Sequence, residues 1–153
     1  MARFINLLFR WAAAALVVYW VLLFASTHTP ASRLPSEPPF PYADKAVHLL
    51  GYSGLAFVAA AAWTWRRTLF ARDYVVLFVA VSVYGALDEV SQMIPGIERN
   101  ADVVDWVADT LGAVLGLCAF ALAAAYARQR GLRLARFQAV GDVAIPARTP
   151  AKS

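Results

Sequence analysis

The sequence predicts an all-α integral membrane bundle of four transmembrane helices, with the N-terminus and C-terminus both cytoplasmic. Three observations carry that expectation. Apolar residues make up 61% of the 153-residue chain and charged residues only 16%, against about half and about a quarter in soluble domains. A soluble protein of this size has too little interior to hide so many large apolar side chains. They gather in four runs, each near the ~20 residues that cross a hydrocarbon core of about 30 Å. The basic residues, finally, fall almost entirely on one side of the implied membrane.

The first run is Trp11 to Ala25, reaching back to Phe4 if Arg10 snorkels to the interface, which makes residues 1–27 an N-terminal span. A cleaved signal peptide is the alternative reading of this stretch, disfavoured by its length and by bulky Phe24 near any cleavage point. Residues 28–42 hold five of the eight prolines and read as an extended extracytoplasmic loop in which His28 is interfacial. Three further spans over about 43–65, 74–94 and 103–126 form a core, residues 43–127. They are linked by a basic turn, Arg66 to Asp73, and a tight Pro-Gly loop, Pro95 to Ala101. Trp63 and Trp65 suit an interfacial aromatic belt. The tail, 128–153, is basic and rich in Gly, Pro and Ala, a composition that predicts disorder.

Orientation follows from Lys and Arg. With the N-terminus inside, the cytoplasmic side carries 11 of the 14 basic residues, leaving Arg33, Lys45 and Arg99 outside. The net charge of +4 therefore reads as a topology signal and a grip on anionic lipid, not a nucleic-acid footprint. The single cysteine, Cys118, excludes an internal disulfide or a multi-cysteine metal site. No cofactor is implied, the lipid bilayer is the expected partner, and self-association stays open.

The acids do the opposite of the bases. Eight of the ten map to the external loops or the outer ends of the last three spans: Glu37, Asp44, Asp88, Glu89, Glu98, Asp102, Asp105 and Asp109. A charge at the centre of a lone membrane helix costs at least about 2.5 kcal/mol, so such residues should face the bundle interior or water. Asp44, His48 and Tyr52, at i, i+4 and i+8 with Lys45 beside them, share a helix face. Gln92 is i+4 from Asp88 and i+3 from Glu89, so it neighbours either acid, while the two acids diverge. Asp105, Asp109, Gly112 and Gly116 fall in one stripe, and the two glycines form a small-xxx-small pair suited to close helix packing. Tyr52, Asp88 and Asp109 each lie about two turns, on the order of 10 Å, from the outer boundary. An outward-facing polar pocket is the result, with Asp44, Lys45, His48, Tyr52, Asp88, Glu89, Gln92, Arg99, Asp105 and Asp109 as candidate ligand-binding residues.

Asp44-Lys45-x-x-His48 with Tyr52, Asp88-Glu89-x-x-Gln92, Pro95-Gly96, Arg99, Asp105, Asp109 and Gly112, in this order and spacing, resemble the VanZ-like family. The resemblance runs from about Asp44 to Gly116. Family members often carry Arg directly after Pro-Gly, where this chain has Ile97 and Glu98, and commonly Asn where it has Asp109. The resemblance implies a bacterial cytoplasmic-membrane protein of the cell envelope. The family's best-known member is linked to teicoplanin resistance, but no reaction comes with the resemblance.

Several readings of the pocket stay open. The charged residues pair across helices as a structural scaffold, although interhelical polar contacts average only about 0.6 kcal/mol. Or the pocket binds a polar envelope ligand such as a lipid-linked cell-wall precursor, with Lys45 and Arg99 on a phosphate or carboxylate. A membrane-embedded hydrolase or transferase would use His48 with Asp44 or Asp105 as an acid–base pair and Glu89 as an acid, yet no G-x-S-x-G or H-E-x-x-H accompanies them. A hard-cation site or an ion path completes the set. Asp102 reads equally as a pocket acid or as a helix N-terminal acid favoured by the dipole.

Overall fold

The computed structural model describes residues 11–33, 40–95 and 100–131. Arg99, Glu98 and Glu37, the extension of the first run back to Phe4, and the basic tail beyond Gly131 lie outside the described residues. Among those described there are four α-helices and no strand: α1 Ala12–Thr27, α2 Ala43–Thr64, α3 Ala71–Ser91 and α4 Val103–Gln129, with a single 3-10 turn over Ala31–Arg33. Three of them, α2, α3 and α4, are long and apolar enough to cross a membrane. Helix α1 is apolar throughout but has 16 residues, short of the ~20 a straight crossing needs.

Local chemistry sets the helix ends. Thr27 donates its hydroxyl to the Phe24 carbonyl 3.2 Å away, and the His28 backbone N–H follows at 3.0 Å, closing α1 shortly before Pro30, which cannot continue it. Tyr42 turns the chain into α2 through a left-handed φ of 62°. Helix α3 starts three residues earlier than the apolar run suggested and ends at Ser91 rather than Ile94. The Asp73 carboxylate accepts the Phe70 backbone N–H at 2.8 Å and pairs with Arg67 at 2.5 Å. That cap recruits polar Arg72 and Asp73 into the first turn. Asp102 caps α4 by accepting the Val104 N–H at 2.8 Å.

The principal seam joins α2 to α4. A β-carbon on Gly112 would collide with the Leu49 backbone, and one on Gly116 with the Ser53 backbone. Only glycine lets the two helices lie this close. Ala56, Ala60 and Ala113 continue the seam, fully buried, towards Leu117 and Phe120. Helix α1 leans on α2 through Leu23 against Gly51, and Tyr19 donates its hydroxyl to the Gly51 carbonyl at 3.0 Å. Helix α3 hangs on α4 through two contacts of Ser82, which bonds Thr110 at 2.9 Å and accepts the Trp106 indole N–H at 3.1 Å.

The bundle is inside-out relative to a soluble protein. Its outer face is lined by exposed Val47, Leu50, Val79, Val83, Leu111 and Leu122, a surface that lipid covers and water would not. Its interior is graded along the axis. Leu55, Leu77, Val81, Leu117 and Phe120 fill one end, while His48, Asp88, Glu89, Asp105 and Asp109 are buried at the other.

Candidate functional site

The polar end is built from the start of α2, the end of α3 and the start of α4. Lys45 stands at the rim, its side chain 21% exposed, and its ammonium meets three carboxylates: Asp44 at 3.0 Å, Asp102 at 2.5 Å and Asp105 at 2.8 Å. Its hydrogen bond goes to Asp102, and the Asp44 and Asp105 carboxylates stand beside it as ion-pair partners. Its role in this structure is to tie α2 to α4. Asp102 lies just outside the helical spans, and the hydrogen bond from Lys45 holds its carboxyl below the ordinary aspartate range, with the Val104 N–H acting in the same direction.

Below the rim the side chains are buried. His48 lies one turn further along α2, its Nδ1 2.9 Å from Asp109 Oδ1 and 3.6 Å from Glu89 Oε1. As the Nδ1–H tautomer it donates to Asp109. Glu89 in turn accepts the Asp102 backbone N–H through Oε2 at 2.9 Å, so α3 is joined to the start of α4. Asp109 is 0% exposed, and its second oxygen, Oδ2, has no hydrogen-bond partner among the described residues. Tyr52 lies beneath His48, its ring almost parallel (5°) at 6.4 Å, and continues to Tyr84 at 5.8 Å. Gly85 makes room for this layer, because a β-carbon there would stand 3.1 Å from the Asp109 Cβ and 3.3 Å from the Tyr52 ring.

The two neighbouring acids of α3 do diverge. Glu89 faces His48 and α4, whereas Asp88 faces α1. Gln92 bridges them with its amide nitrogen 3.5 Å from a carboxylate oxygen of each, and the Tyr84 hydroxyl points at Asp88 from 3.4 Å. His28, read as interfacial, stands at the end of α1 and has partners across the bundle. Its ring stacks on Phe24 at 3.8 Å, its Nε2 bonds the Ser91 hydroxyl at 2.8 Å, and its Nδ1 stands 3.7 Å from Asp88. Asp102 is the N-cap of α4, as its helix N-terminal reading expected, and it also pairs with Lys45.

Of the ten candidate residues, nine gather at this end of the bundle; Arg99 lies outside the described residues. Sequence reasoning missed His28, Tyr84, Gly85 and Ser91. His28 carried a signal, a lone imidazole within one turn of a span, but nothing in the local pattern named Asp88 or Ser91 as its partners. Cys118 is exposed on the apolar flank of α4, away from this end.

Asp88, Glu89, Asp105 and Asp109 are four buried carboxylates, faced among the described residues by Lys45, which is shared with two rim acids, and by the imidazoles of His48 and His28. Chemically, such a cluster attracts cations and the N–H and O–H donors of a polar molecule. It repels a bare anion.

A family model described as VanZ/LLP1 matches residues 5–124, most of the chain and well beyond the stretch from Asp44 to Gly116 that carries the motif resemblance. No curated protein and no solved structure matches this chain.

Proposed function

Because this chain belongs to the VanZ/LLP1 family, we propose that it is a bacterial cytoplasmic-membrane protein whose acid-rich chamber binds the polar headgroup of a cell-envelope component and so modulates sensitivity to glycopeptide antibiotics. All four helices cross the membrane, and both termini lie in the cytoplasm. This orientation puts the chamber at the extracytoplasmic end. The carrying observation is the unbalanced burial of Asp88, Glu89, Asp105 and Asp109. A network kept only to fix helix register needs matched partners, since an unmatched buried carboxylate destabilises by several kcal/mol. Carboxylates in excess point instead to a ligand that supplies the missing donors. With Lys45 engaged, those donors are hydroxyl and ammonium groups of a sugar or peptide headgroup.

The test is to express wild type, Glu89→Gln and Asp105→Asn in a susceptible bacterium, identify the lipids that co-purify by mass spectrometry, and measure teicoplanin susceptibility alongside. The proposal expects a headgroup-bearing lipid retained by wild type and lost from both variants at equal expression. An identical lipid complement and identical susceptibility in all three would refute it.

A second reading is favoured by one observation, the short His48–Asp109 contact of 2.9 Å. An imidazole oriented by a buried carboxylate is the core of many acid–base sites, so a membrane-embedded hydrolase or transferase is the alternative. Turnover of a lipid-linked substrate by purified protein, abolished in folded His48→Gln, would select it.

A further inference from the structure

We infer that His48, Glu89 and Asp109 together hold a divalent first-row transition-metal ion, Zn²⁺ or Mn²⁺, at the floor of the chamber. This rests on reading the acid-rich end as a site and names what occupies its deepest part. Each of the three residues offers a ligand atom, and these atoms lie within 4.8 Å of one another. The Nδ1 to Oδ1 and Nδ1 to Oε1 separations of 2.9 and 3.6 Å match adjacent ligands around an ion with bonds of about 2.1 Å, which stand about 3.0 Å apart at right angles and about 3.4 Å apart in a tetrahedron. The donors come from three helices, so their convergence is a product of tertiary packing rather than of local sequence.

Two further observations point to an ion. Asp109 is wholly buried, yet Oδ2 lacks any hydrogen-bond donor among the described residues, and a cation bound at this carboxylate would offset that loss. The charges also balance: Glu89 and Asp109 supply two negative charges against a divalent ion, while Lys45 is occupied at the rim. Coordination through Nδ1 requires the other imidazole tautomer, with the proton on Nε2. One nitrogen and two carboxylates suit Zn²⁺ or Mn²⁺ better than the all-oxygen preference of Ca²⁺ or Mg²⁺. The Asp102 N–H on Glu89 Oε2 fixes that carboxylate from behind, as an outer-shell bond does around a metal. Three protein ligands leave positions open to a headgroup oxygen.

The full chain, purified in detergent with an affinity tag free of histidine and stripped with chelator, is titrated separately with Zn²⁺ and Mn²⁺ by calorimetry, and bound metal is counted by mass spectrometry. The expected result is one ion per chain and a raised unfolding midpoint. Binding should weaken about tenfold or more in Glu89→Gln and Asp109→Asn and persist in Cys118→Ser and Ser82→Ala. If Asp109→Asn does not fold, Glu89→Gln and His48→Gln decide. Wild type taking up neither ion stoichiometrically, or folded variants binding as wild type does, overturns the inference. Retained lipid without any ion would sink the metal site alone, and a bound ion without lipid would sink the headgroup reading alone.

Discussion

Gly116→Ala sets two opposed effects against each other. Replacing glycine by alanine inside a helix ordinarily stabilises it by about 1 kcal/mol. Here the added methyl falls on the Ser53 carbonyl of α2, with the Ala56 β-carbon 3.1 Å away on the same side. Backbone cannot swing aside as a side chain does. To restore an ordinary carbon–oxygen separation of about 3.3 Å, α2 and α4 must part by about 1 Å along this stretch. The parting reaches the fully buried Ala56, Ala60 and Ala113, whose close contacts depend on the same spacing. Overpacking of this kind costs about 1–3 kcal/mol, and a backbone obstacle belongs at the upper end. After subtracting the helix-propensity gain, the expected net loss is about 2 kcal/mol. Unfolding of the full chain by SDS titration in mixed micelles, followed by circular dichroism, reads it directly. Leu115→Ala, on the exposed face of the same helix, should be near neutral. If Gly116→Ala matched wild type or exceeded it, the close approach of α2 and α4 would be wrong.

Other consequences concern the polar end. His48→Ala leaves Asp109 and Glu89 buried without their shared imidazole and should cost about 3 kcal/mol in metal-free protein; a loss under about 1 kcal/mol in the same SDS titration would show the carboxylates to be solvated. The pH dependence follows from Asp102, whose folded-state pKa is lowered by Lys45. Its contribution to stability is therefore present above its unfolded value of about 3.9 and is lost as pH falls through the depressed folded value. Asp102→Asn keeps the helix cap but removes that titration, so its stability should fall less steeply than that of wild type between pH 5 and pH 2; equal slopes refute the assignment. Accessibility gives the orientation. In a Cys118→Ser background, an impermeant thiol reagent added to intact cells without an outer-membrane barrier should label Asp44→Cys rapidly, Asp109→Cys slowly, and Arg66→Cys only after permeabilisation. The reverse order of Asp44 and Arg66 would invert the topology.

Much of this architecture is legible in the sequence, because an ionised residue inside an apolar run has few places to go. Asp88, Glu89, Asp105 and Asp109 announce an interior polar layer through the cost of facing lipid. The stripe formed by Asp105, Asp109, Gly112 and Gly116 marks the inward face of α4. What periodicity cannot supply is the partner across the gap. That Asp102 and Asp105 stand beside Lys45 follows from the meeting of α2 with α4, which the spacing within either helix does not encode. His28 reaches Asp88 and Ser91 because α1 leans against α2 and α3, which no local pattern encodes. The start of α3 shifted for a similar reason. An apolar window ends where Arg72 and Asp73 appear, yet Asp73 is the residue that caps the helix and draws Arg67 to it.

The grading of the bundle from acids at one end to Arg66, Arg67, Arg72 and Arg128 at the other also makes the molecule an electric dipole along its long axis. A cell membrane is a charged capacitor, and each elementary charge carried across it changes the energy by about 2.3 kcal/mol per 100 mV. If the acids face outwards, as proposed, turning the protein over would drive arginines towards the positive plate and carboxylates towards the negative one. In the proposed orientation the resting voltage of the cell would thus act as a standing torque on the bundle, weakening whenever the membrane depolarises.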